Sequence, residues 1–418
     1  MGAQPAHAVV LCMAQVDQSA CITGTVGNRA NPVEGVDVTL LDADGAELET
    51  LTTEADGKFS FEVEEGGDYL IKLGELPDGL ELLPPSAEFQ GPDGTTKVSV
   101  KLGASTSPSL NVRSDDYEAG GAPFTDELIQ SVAQGLRLGL LLALASVGLS
   151  LIYGTTGLSN FAHAEQVTLG GMVAYGLCNV AGINLWVGIV LTTLICAGSG
   201  YLQDRGMWQP LRRRGLGLTQ MMIVTIGLSL AAQYAFQFFV GASQKKVVVR
   251  TFDVVELGPI RLTGMSFVAM GVSLVAIGIV GYVLLYTRVG QATRAVSDNP
   301  ALAAASGIDV DRIIRLVWTA AAGLAGLGGV FYALVVSNGI RWDTGMQILL
   351  LLFAAVTLGG LGTAFGAFVG AIVIGLVVEL AGPLGAPGDL KYAVALIILI
   401  VLLMVRPQGL LGRAARVG

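Results

Sequence analysis

Two patterns of apolar positions divide the chain. From Ile22 to Leu102, apolar and polar residues alternate in short runs, with turns rich in Gly, Asp and Glu between them. From about residue 128 onward, long apolar runs follow one another with short polar intervals. A period of two is typical of half-buried strands, and apolar runs of this length are typical of helices that cross a bilayer. The sequence therefore predicts an all-β sandwich followed by a polytopic α-helical membrane domain.

The sandwich is predicted from four alternating runs, VDVTL, KFSFEV, DYLIKL and KVSVKL. The turns DADG and EADG between them lack the carboxylate number and spacing of a calcium loop, so we expect Asp and Gly to act there as turn residues. The sandwich contains no His and no nucleophile with a partner, and we interpret it as a binding or spacing module.

The second pattern predicts about eight to ten membrane segments. We place the spans at 128–153, 162–181, 183–203, 218–240, 265–286, 313–336, the shorter pair 346–360 and 364–381, and 390–405. The sequence VTLGG occurs at 167–171 and again at 356–360. In this topology the two copies run in opposite directions, as the halves of an inverted repeat would. The alternative is that five residues of small and apolar type recur by chance.

Composition supports two domains in two environments. The chain is 52% hydrophobic and only 14% charged, which is too apolar for a soluble globule. Its net charge of −9 averages unlike parts, because residues 1–124 carry −15 and the remainder carries +6. An acidic N-terminal part argues against nucleic acid or anionic lipid as its partner.

The distribution of Arg predicts the orientation. The strongest basic clusters contain Arg205 with Arg212, Arg213 and Arg214, then Arg288 with Arg294, and finally Arg406 with Arg413 and Arg416. Placing them in the cytoplasm puts the C-terminus inside and the sandwich outside a bacterial cell membrane. The loop 241–264 would then carry basic residues outside, and its alternation predicts a small hairpin.

We divide the chain into residues 1–21, a sandwich at 22–102, a linker at 103–124 and a membrane domain at 125–418. The first segment has an apolar run of the length of a signal sequence but no preceding basic residue. Cys12 and Cys21 could form a disulfide outside the cell, or remain two free thiols.

The polar interval Arg288–Arg315 predicts a helix of about two turns. Asn299 and Pro300 fit its N-cap and first position, and Gly307 fits the residue that ends it. Asp309 or Asp311 can cap the following helix. Because so short a helix is not stable alone, we expect a docking surface, with an ordinary capped loop as the alternative.

Two further stretches are candidates for function. The cluster SNFAHAEQ offers a cavity lining or gate, or else hydrogen bonds between helices near the cytoplasmic interface. Its candidate residues are Asn160, Phe161, His163, Glu165 and Gln166. A glycine-rich stretch offers a helix break or hinge, or tight packing of helices. Its candidate residues are Gly359, Gly360, Gly362 and Gly366.

The sequence argues against an enzyme. It contains no phosphate-binding loop of the Gly-x-x-x-x-Gly-Lys-Ser/Thr type, so we expect no ATP site of that kind in this chain. Two histidines, His7 and His163, exclude a multi-histidine metal site. No arrangement of Ser, His and Asp or of Cys and His suggests a nucleophile, and we expect neither a metal nor a cofactor.

Two resemblances refine these predictions. The order GTV, PVEGVDVTL, TTEADGKFSFEV, GDYLIKL resembles the carboxypeptidase regulatory-like domains, which have a transthyretin-like fold. The segments IYGTTGLSNFAHAEQVTLGG, TIGLSL, RAVSDNPALAAASGIDVDRI, VTLGGLGTAFGAFVGA and RPQGLLG resemble the permease subunits of branched-chain amino acid ABC importers. Two departures stand out: Ala164 replaces a Gly typical of that family, and most family members lack a fused sandwich.

The second resemblance implies a mechanism and partners. It implies alternating access for small apolar amino acids, with a second permease that is a paralogue, two cytoplasmic ATPases that bind ATP and Mg, and an external substrate-binding protein. The helix from Pro300 would be the coupling helix that contacts an ATPase, with Arg294, Asp298, Asn299, Ala303 and Gly307 in or beside it. Arg341 and Asp343 would contact the binding protein.

The sequence leaves three alternative functions open. Related ABC permeases carry urea or short amides. An ion-coupled secondary transporter would use Glu165 and Glu379 and would need no ATPase. A sensor or adhesion protein would use the sandwich as its working part and the membrane domain as an anchor.

Overall fold

The structure, a computed structural model, describes residues 20–27, 33–43, 45–55, 57–77, 80–82, 89–100, 105–106, 108–110, 112–114, 124–248, 252–385, 390–405 and 409–411. The chain divides into two compact units, Met1–Gly121 and Ala122–Gly418. Cys12 and the predicted basic cluster of Arg406, Arg413 and Arg416 lie outside the described residues.

The first unit is built from short strands. They are β1 Ala20–Val26, β2 Asp37–Leu41, β3 Glu47–Thr52, β4 Lys58–Val63, β5 Gly67–Leu73, β6 Leu80–Leu82, β7 Thr96–Val100, β8 Ser105–Thr106, β9 Ser109–Leu110 and β10 Val112–Ser114. One sheet has the order β3-β2-β5-β7, and the other has the order β4-β1-β8 with β9 also on β1. The alternating residues Phe59 and Phe61 of β4 point into one shared apolar core, so the predicted all-β domain is confirmed.

The turns of this unit follow the predicted chemistry where the structure describes them. Asp42 Oδ1 accepts a hydrogen bond of 2.8 Å from the backbone N–H of Ala46, and Gly45 has φ +88°. A carboxylate occupied in this way shapes a turn. Cys21 is disulfide-bonded, and its candidate partner Cys12 is not described.

The second unit is helical. Its helices are α1 Phe124–Thr156, α2 Ala164–Ala174, α3 Leu185–Gln203, α4 Gln209–Arg213, α5 Leu218–Val240, α6 Gly264–Tyr286, α7 Arg288–Asp298, α8 Pro300–Ala305, α9 Val310–Val335, α10 Thr344–Gly359, α11 Ala364–Leu380 and α12 Lys391–Val405. Among the described residues, five helical stretches are long and apolar enough to cross a membrane. The remaining predicted spans correspond to α2 with its extensions and to the shorter apolar helices α10, α11 and α12.

Small residues let the central helices pack backbone to backbone. A Cβ atom added to Gly170 of α2 would lie 2.2 Å from the carbonyl oxygen of Gly326 on α9. No side chain fits there, and such close approach is the usual way in which membrane helices associate. By contrast, α5 and α6 bury only a minority of their residues and expose large apolar side chains.

The ends of the helical unit are distinct. At one end, β11 Val254–Leu257 pairs with β12 Ile260–Thr263, which confirms the predicted hairpin. We call this the hairpin end. At the other end α8 lies near the C-terminus of α1, and we call this the α8 end.

The two VTLGG copies run in opposite directions. Gly345 of α10 bonds to Thr168 of α2, and further along α10 the ring of Phe353 packs on Phe161. These contacts make α2 and α10 antiparallel, as predicted. The inverted repeat itself stays a prediction.

Candidate functional site

The polar cluster before and within α2 forms a buried junction between helices. A segment without helix or strand structure, 157–160, leads from α1 into a 3-10 helix, Phe161–His163. Asn160 Oδ1 accepts a hydrogen bond from the N–H of Ala162 at 3.1 Å. His163 is 1% exposed, and its Nε2 donates to the carbonyl oxygen of Ala145 on α1 at 3.0 Å. This bond fixes the proton on Nε2.

Glu165 lies at the centre of this junction. Its Oε1 accepts hydrogen bonds from Ser229 Oγ at 3.0 Å and from Gln233 Nε2 at 2.9 Å, both on α5. Thr168 Oγ1 lies 3.4 Å from Oε2. A carboxyl group that is 3% exposed is thus surrounded by neutral polar partners, which is how a protein tolerates such a group inside a membrane domain.

The junction reaches two more helices. Gln166 Oε1 accepts a hydrogen bond of 2.8 Å from Ser199 Oγ on α3, and the rings of Phe161 and Phe353 lie 4.9 Å apart. The predicted hydrogen bonding between helices is therefore confirmed. Its predicted position near the cytoplasmic interface is wrong, because Glu165 bonds to Ser229, the central residue of the spanning helix α5.

The partners of Glu165 were not predicted from the sequence. Thr225, Ser229 and Gln233 are spaced by four residues in an otherwise apolar helix, and together with Met221 they form its buried face. That spacing was the available signal, because it places polar groups on one side of a helix. Thr225 Oγ1 also accepts a hydrogen bond from the N–H of Phe161 at 3.2 Å.

The replacement of a family Gly by Ala164 does not prevent close backbone approach. A Cβ atom added to Gly345 of α10 would lie 2.6 Å from the carbonyl oxygen of Ala164. The glycine needed for this contact is on the opposite helix.

The glycine-rich stretch forms a tight turn between α10 and α11. Gly360 and Gly362 have φ of +111° and +81°, which favour glycine. A Cβ atom on Gly359 would lie 1.9 Å from the carbonyl oxygen of Gly366, so the two helices touch through their backbones. The sequence suggested either a helix break or tight packing of helices at this stretch, and the turn shows both: the chain breaks at Gly360 and Gly362, and the helices pack closely at Gly359 and Gly366.

The predicted short helix is present with its predicted caps. Asn299 Oδ1 accepts a hydrogen bond of 3.0 Å from the N–H of Leu302 at the start of α8, and Gly307 has φ +86° after its end. Asp309 caps α9 by accepting from the N–H of Arg312 at 3.0 Å. Pro300 is the first residue of α8, where proline is favoured, and Gly307 follows its end, where glycine is favoured. Both boundaries of this helix therefore follow local sequence rules.

The faces of α8 differ from what the family resemblance implied. Ala303 is 4% exposed and packs into the apolar cluster that contains Trp208 and Trp318, so it faces the protein. Leu302 is 65% exposed. Arg294 NH1 donates to the carbonyl oxygen of Leu284 on α6, whereas Asp298 is exposed.

At the hairpin end, Arg341 and Asp343 pair with each other. Arg341 Nε lies 3.2 Å from Asp343 Oδ1, and Gln347 Nε2 donates to Asp343 Oδ2 at 3.1 Å. Their loop is joined to the 241–248 loop through backbone bonds between Lys245 and Ile340. The structure thus groups these two residues with the basic loop that the sequence also assigned to the outside.

Within the described residues, no three His, Cys, Asp or Glu side chains lie close enough to hold a metal ion. Glu379 interacts electrostatically with Arg137 of α1. The other candidate of the ion-coupled interpretation is thus close to a cation.

Each unit is similar to a known family. The family described as branched-chain amino acid transport system / permease component matches residues 131–403, and the SdrD B-like domain matches residues 21–118. The high-affinity branched-chain amino acid transport system permease protein LivH of Escherichia coli is 29% identical over 303 residues, covering 68% of this chain and 96% of that protein.

Two further relatives agree. A protein of Methanocaldococcus jannaschii described as a probable branched-chain amino acid transport permease LivH is 33% identical over 288 residues, which cover 65% of this chain and 89% of the relative. BraD of Pseudomonas aeruginosa, a high-affinity branched-chain amino acid transport system permease protein, is 27% identical over 302 residues. The match covers 68% of this chain and 96% of BraD.

Proposed function

Since the chain belongs to the family of permease components of branched-chain amino acid transport systems, we propose that it carries branched-chain amino acids through the membrane by alternating access, driven by ATPases that dock on α8. ATP and Mg would be bound by those ATPases. An external substrate-binding protein would deliver the amino acid at the hairpin end, where Arg341 and Asp343 lie in the loop.

The observation that carries this proposal is the two-faced geometry of α8. Ala303 anchors the helix on the tryptophan-containing cluster, and Leu302 projects away from it. A two-turn helix gains little stability by itself. On the side away from the cluster, α8 exposes a contiguous apolar face of Ala301, Leu302, Ala304 and Ala305, and contiguous apolar surface is where partners bind. Displacement of α8 by closure of the ATPases would favour one access state over the other.

Basic residues at the α8 end support the proposed orientation in the membrane. Arg205, Arg212, Arg213 and Arg214 follow α3, and Arg288 and Arg294 lie on α7 beside α8. We place this end in the cytoplasm by the positive-inside rule, and with it the sandwich outside. The weakly buried helices α5 and α6 would contact lipid or the second permease, for which we propose a paralogue.

The test is co-purification of the ATPases with the variant Leu302→Arg. We expect recovery of the ATPases to fall about tenfold, because a charge replaces the apolar residue at the centre of the contact. The matched control is Leu257→Arg, since Leu257 is similarly exposed, at 57%, but lies in the hairpin at the opposite end. Equal recovery with both variants, in preparations that remain monodisperse, would move the docking site away from α8.

The substrate class is tested separately by uptake into vesicles that contain the assembled transporter and its binding protein. We expect ATP-dependent uptake of leucine, isoleucine or valine that excess unlabelled urea does not reduce. Uptake of urea instead would assign the chain to the amide-carrying relatives. Uptake that survives without ATPases but responds to an ion gradient would contradict the ABC mechanism.

A further inference from the structure

A group of opposite charges around the fully buried Asp204 lies beside α8. We call Asp204, Arg212, Arg213, Asp311 and Arg315 the charge cluster. Asp204 follows the last residue of α3 and is fully buried. Its Oδ1 accepts a hydrogen bond of 2.7 Å from Arg212 NH1, and its Oδ2 lies 3.6 Å from Arg315 Nε on α9.

The second half of the charge cluster lies in the first turn of α9. Asp311 Oδ2 is 2.9 Å from Arg213 NH2, and its Oδ1 is 3.7 Å from Arg212 NH2. Asp311 and Arg315 are four residues apart, so they lie on one face of α9. Along α9 the negative Asp311 comes before the positive Arg315. The segment that faces α9 runs antiparallel to it, so Arg213 lies opposite Asp311 and Asp204 lies opposite Arg315.

Two features tie this pairing to α8. The rings of Trp208 and Trp318 stack beside the charges with their centroids 5.1 Å apart. Ala303 of α8 belongs to the same apolar cluster as these two tryptophans. In addition, only Ser306 to Asp309 separate α8 from α9. A displacement of α8 would therefore act on the turn of α9 that carries Asp311 through this short connection.

The segment that faces α9 departs from regular helix geometry. Residues Asp204–Trp208 form a π-helical turn between α3 and α4. Such turns occur often at functional sites, where an added residue changes the direction of side chains. Here both ends of the turn, Asp204 and Trp208, are fully buried against α9.

Stability alone does not account for a buried carboxylate such as that of Asp204. Replacing a buried ion pair by apolar side chains of similar volume is often neutral or stabilising, and the best-attested role of such groups is to fix a register between helices. The alternating signs of the charge cluster match in one register only. A slide by one helical turn would bring Asp311 toward Asp204 and away from Arg213.

We propose that Asp204 is a positioning residue, and that the charge cluster fixes the register of α3 and α4 against α9, so that movement of α8 is passed to α3. The transmission of movement rests on the proposed function, whereas the register does not. The helices α3, α4 and α9 would then move together in response to an ATPase that contacts only α8.

The register is tested by a disulfide. A Cβ atom on Gly323 would lie 3.3 Å from the Cβ of Ala197, close to the spacing of bonded cysteines. The parent carries Ala197→Cys and Gly323→Cys, with Cys178→Ala and Cys196→Ala to remove the nearby thiols. We expect rapid crosslinking on oxidation in the parent and about fivefold slower crosslinking when Asp204→Asn is added, since the carboxylate that fixes the register is lost.

Three further variants separate register from simple stability. Asp204→Glu keeps the charge and should restore crosslinking, and the control Glu127→Gln, an exposed carboxylate at the start of α1, should leave it unchanged. If Asp204→Asn does not fold, Asp204→Leu combined with Arg315→Leu removes both opposite charges and should also crosslink slowly. Parental crosslinking rates in Asp204→Asn or in the Asp204→Leu, Arg315→Leu double variant, or no crosslink in the parent, would overturn the register.

The transmission is tested in the assembled transporter by uptake per ATP hydrolysed. With Asp204→Asn we expect the ATPases to remain bound and hydrolysis to continue, while uptake per ATP falls about tenfold. Unchanged uptake per ATP would overturn the transmission. If the wild-type assembly itself shows no ATP-driven uptake, the proposed function fails, and the crosslinking experiment still decides the register.

Discussion

The backbone N–H of Gly345 donates a hydrogen bond of 2.8 Å to Thr168 Oγ1, which joins the first turn of α10 to the middle of α2. Both groups are buried, and Thr168 also lies within reach of Glu165. The two helices that carry the VTLGG copies are thus linked at the junction that Glu165 organises.

Thr168→Val should destabilise the membrane unit. Valine has nearly the same shape but leaves the N–H of Gly345 without its acceptor, at a cost of about 1–3 kcal/mol. Thermal unfolding in detergent should show a lower Tm. Thr193→Val is the matched control, because the hydroxyl of Thr193 bonds only to the carbonyl of Ile189 in its own helix, and a comparable drop there would refute this account.

Glu165→Gln tests the ion-coupled alternative. Glutamine keeps the size and an acceptor for Ser229 or Gln233 but cannot exchange a proton. If ATP drives transport and Glu165 serves as a structural acceptor, uptake should fall by no more than about threefold, since one hydrogen bond is weakened. Complete loss of uptake in protein that still unfolds cooperatively at the parental Tm would identify Glu165 as a coupling group.

Gly359→Ala should separate α10 from α11. The added methyl group would meet the carbonyl oxygen of Gly366, and such overpacking costs about 1–3 kcal/mol. Gly278→Ala on α6 is the control, because nothing lies within 4 Å of its added Cβ atom. We expect a lower Tm for the first variant and an unchanged or slightly raised Tm for the second. Equal effects would mean that helix propensity, not close packing, decides the outcome.

The sequence predicted the elements well because their signals are local. Alternation placed β2, β4, β5 and β7, apolar length placed the spans, and Asn299, Pro300 and Gly307 placed both ends of α8. The linker predicted at 103–124 is wrong in part, because β8, β9 and β10 lie within it. The cap of α9 was narrowed to Asp309 or Asp311, and the structure selects Asp309. Each of these features depends on residues only a few positions apart.

The site was predicted less completely because its geometry depends on distant residues. Asp204 was not identified at all, since its partner Arg315 is far away in the sequence and the nearby arginines were interpreted only as a topology signal. The inward face of Ala303 depends on Trp208 and Trp318, which local spacing does not reveal. Glu165 was identified as a candidate residue, but its position level with the middle of α5 depends on its bond to Ser229, which the local sequence does not reveal.

Arg294 provides a last test of how far a family pattern transfers to this chain. The resemblance implied a polar contact with an ATPase, but here NH1 of Arg294 donates to the carbonyl oxygen of Leu284 near the end of α6. This bond holds α7 against the helix that precedes it and satisfies a carbonyl in the last turn of α6. Arg294→Ala should therefore cost about 1 kcal/mol, since the donor is charged but exposed to solvent.

The measurement for Arg294→Ala combines the Tm with recovery of the ATPases. We expect a slightly lower Tm and full recovery of the ATPases at a temperature where the variant is folded. Arg288→Ala, which removes an exposed arginine from the same helix, controls for loss of positive charge. Loss of the ATPases without any change in Tm would show that Arg294 contacts the partner directly, because a residue that only supports α7 cannot weaken docking while α7 keeps its stability.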